Sequence, residues 1–261
     1  MNSRPLRADH TLSRLHRQWW AISCVCGLSL GLGYTLLSAG WQPEAARCWA
    51  LLAGWVMAVE LVFLWRWLPD NSRQPGQPLL PALGLGNLLT IGRGLLVGLL
   101  AGFVGLGWPP GWLACLPAGL YSLAAIGDSL DGYVSRKTHY TTHLGQRLDM
   151  QVDALGLLVA TGLAVQYGQL PVWYLGLGLA HYGFGLGRWW RRRRGKPVQS
   201  VPPRAARAVI GGCQVGFISV VLWPVFSPPL TSLVGLLFVL PTLVSFGRDW
   251  LAVSGRSAAT E

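Results

Sequence analysis

Residues 127–156 read GDSLDGYVSRKTHYTTHLGQRLDMQVDALG. This stretch gathers Asp128, Asp131, Asp149 and Asp153, four of the seven aspartates in the chain. Apolar sequence lies on both sides of it. On a helix, positions three and four apart share a face, with Cβ atoms about 5–6 Å from one another. Asp128 and Asp131 therefore share a face at the end of one predicted helix, and Asp149 and Asp153 share a face at the start of the next. A loop with Gly132 and Gly145 at its ends is expected between them, so that all four carboxylates converge at one end of a helix pair.

Outward from this stretch the chain is strongly apolar. Of its 261 residues 52% are hydrophobic and 12% charged, and the mean hydropathy is +0.41. A soluble domain carries about twice that charged fraction. Eight apolar runs are close to the roughly 20 residues that cross a bilayer: 19–39, 48–66, 87–107, 111–130, 146–167, 171–188, 208–226 and 230–247. The sequence predicts an all-α, polytopic membrane helix bundle. The first run has a long charged leader and no small-residue cleavage site, so it is read as a retained helix rather than a signal peptide. The Pro/Gly-rich stretch 67–86 divides the chain into residues 1–82, a cytoplasmic segment and two transmembrane helices, and residues 83–261, a six-helix remainder.

The net charge of +11 would suit nucleic acid, but its placement suits topology. If the eight runs alternate, nearly all the basic residues, among them Arg14, Arg17, Arg66, Arg136, Arg191, Arg192, Arg193, Arg194 and Arg248, fall on one side, and Arg47 stands alone on the other. This positive-inside pattern puts both termini and the aspartates on the cytoplasmic side of a multi-pass protein, with the bacterial inner membrane as the expected location. It makes the lipid bilayer, and not nucleic acid, the partner. The five cysteines lie in or beside apolar runs without zinc-site spacing and are read as small buried residues. Several of the fourteen tryptophans mark run ends as interfacial anchors. The glycines of 176–187 are read as close helix packing, and His181 among them as a packing residue.

Four carboxylates in an apolar chain need protons or cations. An oxygen-only cluster favours hard divalent ions, Mg²⁺ or Mn²⁺, and four carboxylates are enough for two of them. Two ions about 3.5–4 Å apart suit phosphoryl chemistry. Gly132 and Gly145 permit close approach by a ligand, and Arg136 can meet a diphosphate bidentately. Upstream, GNLLTIGRGLL at 86–96 starts the second unit with Asn87 and Thr90 near a helix start and Arg93 about two turns in. Arg93 either meets a partner or snorkels to the surface, and the sequence leaves the two level. Glu60, near the end of the second run, has no constellation around it and is read as structural.

Residues 128–153 read D-x-x-D-G-x-x-S-R-x8-G-x-x-x-D-x-x-x-D. This resembles the signature of the CDP-alcohol phosphatidyltransferase family, D-x-x-D-G-x-x-A-R-x8-G-x-x-x-D-x-x-x-D, at every specified position but one. Ser135 stands where the family has alanine. GNLLTIGR also resembles the start of the family's first core helix, and the resemblance covers about residues 83–247. It implies transfer of a substituted phosphate from a CDP-linked lipid, of the CDP-diacylglycerol type, to an alcohol acceptor, with release of CMP. By the same resemblance Asp128, Asp131 and Asp149 would coordinate two metal ions, and Asp153 would help hold the second and act as general base. Gly132, Ser135, Arg136 and Gly145 would line the cytidine diphosphate site, and the enzyme would be a homodimer. The acceptor is not written in the motif. Asn87, Thr90, Arg93, Arg194, Lys196, Arg204 and Arg207 are the candidate contacts for the acceptor or its phosphate, and their charge favours a phosphorylated acceptor. Two other readings compete: a cation or proton transporter built on intramembrane aspartates, and a catalytically dead relative used as a scaffold. The first expects acids at the bilayer midplane and a repeat. The second is hard to square with four retained aspartates.

Overall fold

The computed structural model describes residues 4–74, 76–138, 142–199 and 205–255, leaving aside the side chains of 4–9, 131–138 and 205. Among these residues there are eight α-helices and no strand: α1 (Arg4–Gly40), α2 (Pro43–Trp67), α3 (Leu85–Ala101), α4 (Leu116–Thr138), α5 (His143–Gln166), α6 (Leu175–Arg193), α7 (Ala205–Val221) and α8 (Leu230–Val253). The all-α expectation and the eight helices agree with this.

Five helical segments are long and apolar enough to cross a membrane: His10–Gly40, Pro43–Asp70, Gly111–Leu130, His143–Gln166 and Leu230–Val253. Three of the expected spans differ. The helix Leu85–Ala101 has 17 residues, about 25 Å at 1.5 Å per residue, which is short of a hydrocarbon core of about 30 Å. The apolar helix Ala206–Val221 is similarly short. Helix α6 carries Arg188 and ends in Arg191, Arg192 and Arg193, so no full-length apolar stretch remains in it.

Local sequence explains where several helices begin and end. Helix α2 opens with Pro43, has Glu44 in its first turn and closes with Arg66 in its last, the polarity that the helix dipole favours. Helix α1 is longer than the apolar run because its basic leader continues the helix outward from the bilayer end. The 3₁₀ turns Gly111–Cys115 and Val172–Tyr174 lead into α4 and α6.

The chain forms two compact units, residues 1–156 and 157–261, with α5 running from one into the other. In the first, α2 packs closely on α3. The Trp49 indole donates to the Leu99 carbonyl at 3.1 Å and covers Gly102, where a Cβ would lie 2.6 Å from the ring. Gly98 gives the same close approach to Met57. Val97, Ala124 and Val152 join α3, α4 and α5 in one small cluster. A second cluster, Leu15, Leu64, Leu68, Leu83, Leu144 and Leu148, ties α1 and α2 to the start of α5. Leu28, Leu32, Leu51 and Trp55 on the first two helices are at least 66% exposed, the outward apolar surface that a bilayer covers. In the second unit the Tyr174 hydroxyl accepts from the Gln214 amide at 2.6 Å, and Thr231 donates to the Gln169 carbonyl at 2.6 Å.

Helix α4 does not stop at the aspartates. It continues to Thr138, and α5 starts at His143. Gly132, Ser135, Arg136 and Gly145 therefore sit on helical turns, not in the expected loop. One glycine costs a helix about 1 kcal/mol, too little to end it, while Arg136 and Lys137 favour its last turn through the dipole.

Candidate functional site

Arg93 decides the geometry of the site. It lies two turns into α3, 5% exposed, with Gly127 of α4 opposite it. A Cβ at Gly127 would lie 2.9 Å from the arginine Cγ, so this glycine makes room for the side chain. The guanidinium reaches three aspartates from two other helices. One terminal nitrogen donates to Asp149 Oδ1 at 2.7 Å. The other lies 2.9 Å from Asp128 Oδ1 and also donates to Asp153 Oδ1. Arg93 thus has the charged partners that the sequence left open.

Asp128, Asp149 and Asp153 each contribute an oxygen to a group in which all lie within 4.8 Å of one another. Asp128 comes from α4, and Asp149 and Asp153 come from adjacent turns of α5, so the spacing of four places both on one face. Their side chains are 48%, 45% and 50% exposed, so the cluster opens outward while Arg93 closes it from within. An all-carboxylate donor set of this kind fits a hard divalent cation. Asp131 follows Asp128 by one helical turn. Its side chain, with those of Ser135 and Arg136, the surroundings of Gly132, and all of Arg204, lies outside the described residues.

The remaining candidates fall into different settings. Thr90 donates to the Gly86 carbonyl at 3.1 Å. Asn87 is buried, donates to Asn71 Oδ1 at 3.2 Å and accepts from the Thr142 hydroxyl at 3.1 Å. Gly145 packs on Asn87, whose amide oxygen a Cβ there would strike. In the second unit, Arg194 lies over the Trp190 ring at 4.5 Å, Lys196 is exposed, and Arg207 pairs with Asp249 at 2.7 Å. Asn71 and Thr142 are buried polar groups that the sequence reading missed. Asn71 sits in the Pro/Gly-rich stretch, where no periodicity marks it, although Thr142 immediately before α5 is a position where a capping residue is expected.

Comparison with known proteins gives this cluster its context. Residues 83–250 match the CDP-alcohol phosphatidyltransferase family. The chain belongs to that family. The matched region contains α3 and the whole aspartate cluster and leaves out α1 and α2. A stretch of 86 residues, 33% of this chain, is 40% identical to a rice (Oryza sativa subsp. japonica) protein, cardiolipin synthase (CMP-forming). The match spans 25% of the length of that relative. No solved structure matches the chain. Family membership and the long apolar helices together identify a multi-pass membrane protein.

Proposed function

We propose that this chain transfers a phosphatidyl group from a CDP-linked lipid, of the CDP-diacylglycerol type, to an alcohol and releases CMP. The observation that carries the reading is the meeting of Asp128, Asp149 and Asp153 from two helices inside the family-matched region. The rice relative is named as CMP-forming, in keeping with the proposed leaving group.

In this reading Asp128, Asp131, Asp149 and Asp153 hold two divalent ions, Mg²⁺ or Mn²⁺. Bound there, the ions would neutralise the diphosphate and lower the cost of charge on its oxygens. The chain's own groups do the rest. Asp153 takes the proton from the acceptor hydroxyl. The acceptor oxygen forms a bond to the lipid-side phosphorus, the bond from that phosphorus to the bridging oxygen breaks, and CMP departs with the electron pair. Arg136 supplies fixed positive charge for the diphosphate, and Arg93 holds the aspartates from the inner side. Gly132, Ser135 and Gly145 would line the nucleotide. A half-exposed site facing the cytoplasm would admit a soluble or headgroup alcohol while the acyl chains stay in the bilayer. The basic character of the sequence at Arg194, Lys196, Arg204 and Arg207 is in keeping with an acceptor that carries phosphate.

The test is release of CMP from CDP-diacylglycerol by purified protein, with Mg²⁺ or Mn²⁺ and a panel of free and phosphorylated alcohols. Product lipids identified by mass spectrometry name the acceptor. No CMP with any acceptor would sink the proposal, and metal-driven flux of cations or protons into sealed vesicles would replace it with the transporter reading.

A further inference from the structure

The residues just outside the family-matched region make a set of contacts that the reaction does not explain. Asn71 is fully buried. Its amide donates to the Leu80 carbonyl at 3.2 Å and the Ala82 carbonyl at 3.1 Å, folding the chain before α3 around itself. Its backbone carbonyl accepts from Leu80 N–H at 2.8 Å. Its side-chain oxygen accepts from Asn87 of α3 at 3.2 Å. Asn87 in turn accepts from the Thr142 hydroxyl at 3.1 Å, and Thr142 Oγ1 accepts from Gly145 N–H at 2.9 Å. Thr142 thereby caps the N-terminus of α5.

The relay runs in one direction, from Gly145 through Thr142 and Asn87 to Asn71. The Asn71 amide faces the Leu80 and Ala82 carbonyls, so its oxygen meets Asn87, and an alternative orientation at Asn87 would set two oxygens against each other. Three further contacts reinforce it. The Ser72 carbonyl accepts from His143 N–H at 2.9 Å. Asp70 pairs with Arg147 of α5 at 2.5 Å, and the same guanidinium lies 6.0 Å over the Trp67 ring. Leu15 of α1 and Leu64 of α2 pack in one cluster with Leu144 and Leu148.

All of these contacts end on the first turn and a half of α5. Asp149 lies one turn beyond Gly145, and Asp153 one turn beyond that, about 6 Å and 12 Å along the helix. A rotation or slide of α5 at its start is carried rigidly to both carboxylates. Reacting groups need placement within about 0.5 Å.

We propose that Asn71, with Asp70 beside it, is a positioning residue: it locks the start of α5 to α3 and so sets where Asp149 and Asp153 stand, a role whose chemical consequence rests on the phosphatidyl-transfer reading. The two helices outside the family match then serve the site directly, by presenting Asp70 and Asn71 and by backing α5 with leucines.

The test uses the full chain in detergent, with Asn71→Ala and, as a milder variant that keeps the buried amide, Asp70→Asn. The control is Trp49→Phe, which removes a hydrogen bond to α3 elsewhere in the same unit. Mn²⁺ affinity is measured by electron paramagnetic resonance, backbone hydrogen exchange over residues 143–153 by mass spectrometry, and CMP release by steady-state kinetics. Loss of a direct partner of a metal ligand weakens metal binding and activity by about 10- to 100-fold, and Asn71, which acts through the start of α5, belongs at the low end. The expected results are an Mn²⁺ Kd raised about tenfold in Asn71→Ala, a lower kcat with the donor KM little changed, and faster exchange at the start of α5. Asp70→Asn should shift all three in the same direction by less. Trp49→Phe should lose thermal stability with Kd and exchange at α5 unchanged. Unaltered exchange over 143–153 overturns the lock, as does an equal Kd change in Trp49→Phe at equal loss of stability. Loosened α5 with wild-type Mn²⁺ affinity and kcat overturns the positioning role. Wild-type protein that binds no Mn²⁺ sinks the metal reading of the aspartates, and the exchange measurement then still decides whether Asn71 locks α5.

Discussion

Two polar clusters interrupt the apolar helices, and they are built on opposite terms. In the second unit, Gln214 and Tyr174, and Thr231 and Gln169, join neutral groups that are all at most 4% exposed. In the first unit, three half-exposed carboxylates face a single buried guanidinium. A neutral hydrogen bond between membrane helices contributes about 0.6–2 kcal/mol, and an unpaired charge at mid-bilayer costs about 2.5–3.5 kcal/mol on insertion scales. The neutral cluster is accounted for by helix packing alone. The charged one carries more negative than positive charge, is half-exposed on its carboxylate side, and would be a poor fastener. The difference separates a packing network from a candidate site without appeal to the family.

The sharpest way to break that comparison is to remove charge from the site while keeping shape. Asp153→Asn should lower the rate of CMP release by about a thousandfold, on the order of 4 kcal/mol in the barrier, with helical content unchanged by circular dichroism. A rate near wild type would strip Asp153 of its role as base. Arg93→Met comes next. It leaves three carboxylates with no counterion, and removing one member of a buried ion pair costs about 3–5 kcal/mol, here discounted to about 2 kcal/mol because the carboxylates are half-exposed. Added Mg²⁺ should raise the thermal midpoint of this variant more than that of wild type. An equal response would mean that Mg²⁺ does not take over the charge balance that Arg93 gives these carboxylates.

How much of this was legible in the sequence depends on what kind of physics set each feature. The eight helices were, because apolar runs of near-membrane length carry their own signal. The pairing of Asp149 with Asp153 was, because it follows from helical spacing within one element. The extent of α4 was not. A glycine beside two aspartates reads as a helix end, yet one glycine is a small penalty against continued hydrogen bonding, and the helix runs on to Thr138. The partners of Arg93 and the relay through Asn71 and Thr142 were not legible either, since tertiary packing joins residues that stand 16 to 60 positions apart. Gly145 shows the two levels in one residue. The motif marks it for the nucleotide, while its nearest neighbour is the Asn87 amide. Gly145→Ala should therefore destabilise the protein by about 1–3 kcal/mol with no nucleotide present, as overpacking does. A thermal midpoint equal to wild type, with only CDP-lipid binding lost, would return Gly145 to the nucleotide role alone.

The smallest effect tests the other half of the comparison. Gln214→Leu leaves the buried Tyr174 hydroxyl without the amide that donates to it, at a cost of about 1–2 kcal/mol. Turnover per folded molecule should not change. Removing the hydroxyl as well, in Gln214→Leu with Tyr174→Phe, should recover most of the loss, because replacing both members of a neutral pair by apolar groups of similar shape is close to neutral. In the first unit, Arg93→Met with Asp149→Asn should recover only part of the stability, since Asp128 and Asp153 keep their charge, and should leave CMP release abolished. A neutral pair can be deleted from both sides because its only product is packing. If the double variant in the second unit lost activity while remaining folded, the neutral cluster would belong to the function too, and the division drawn between the two regions would fail.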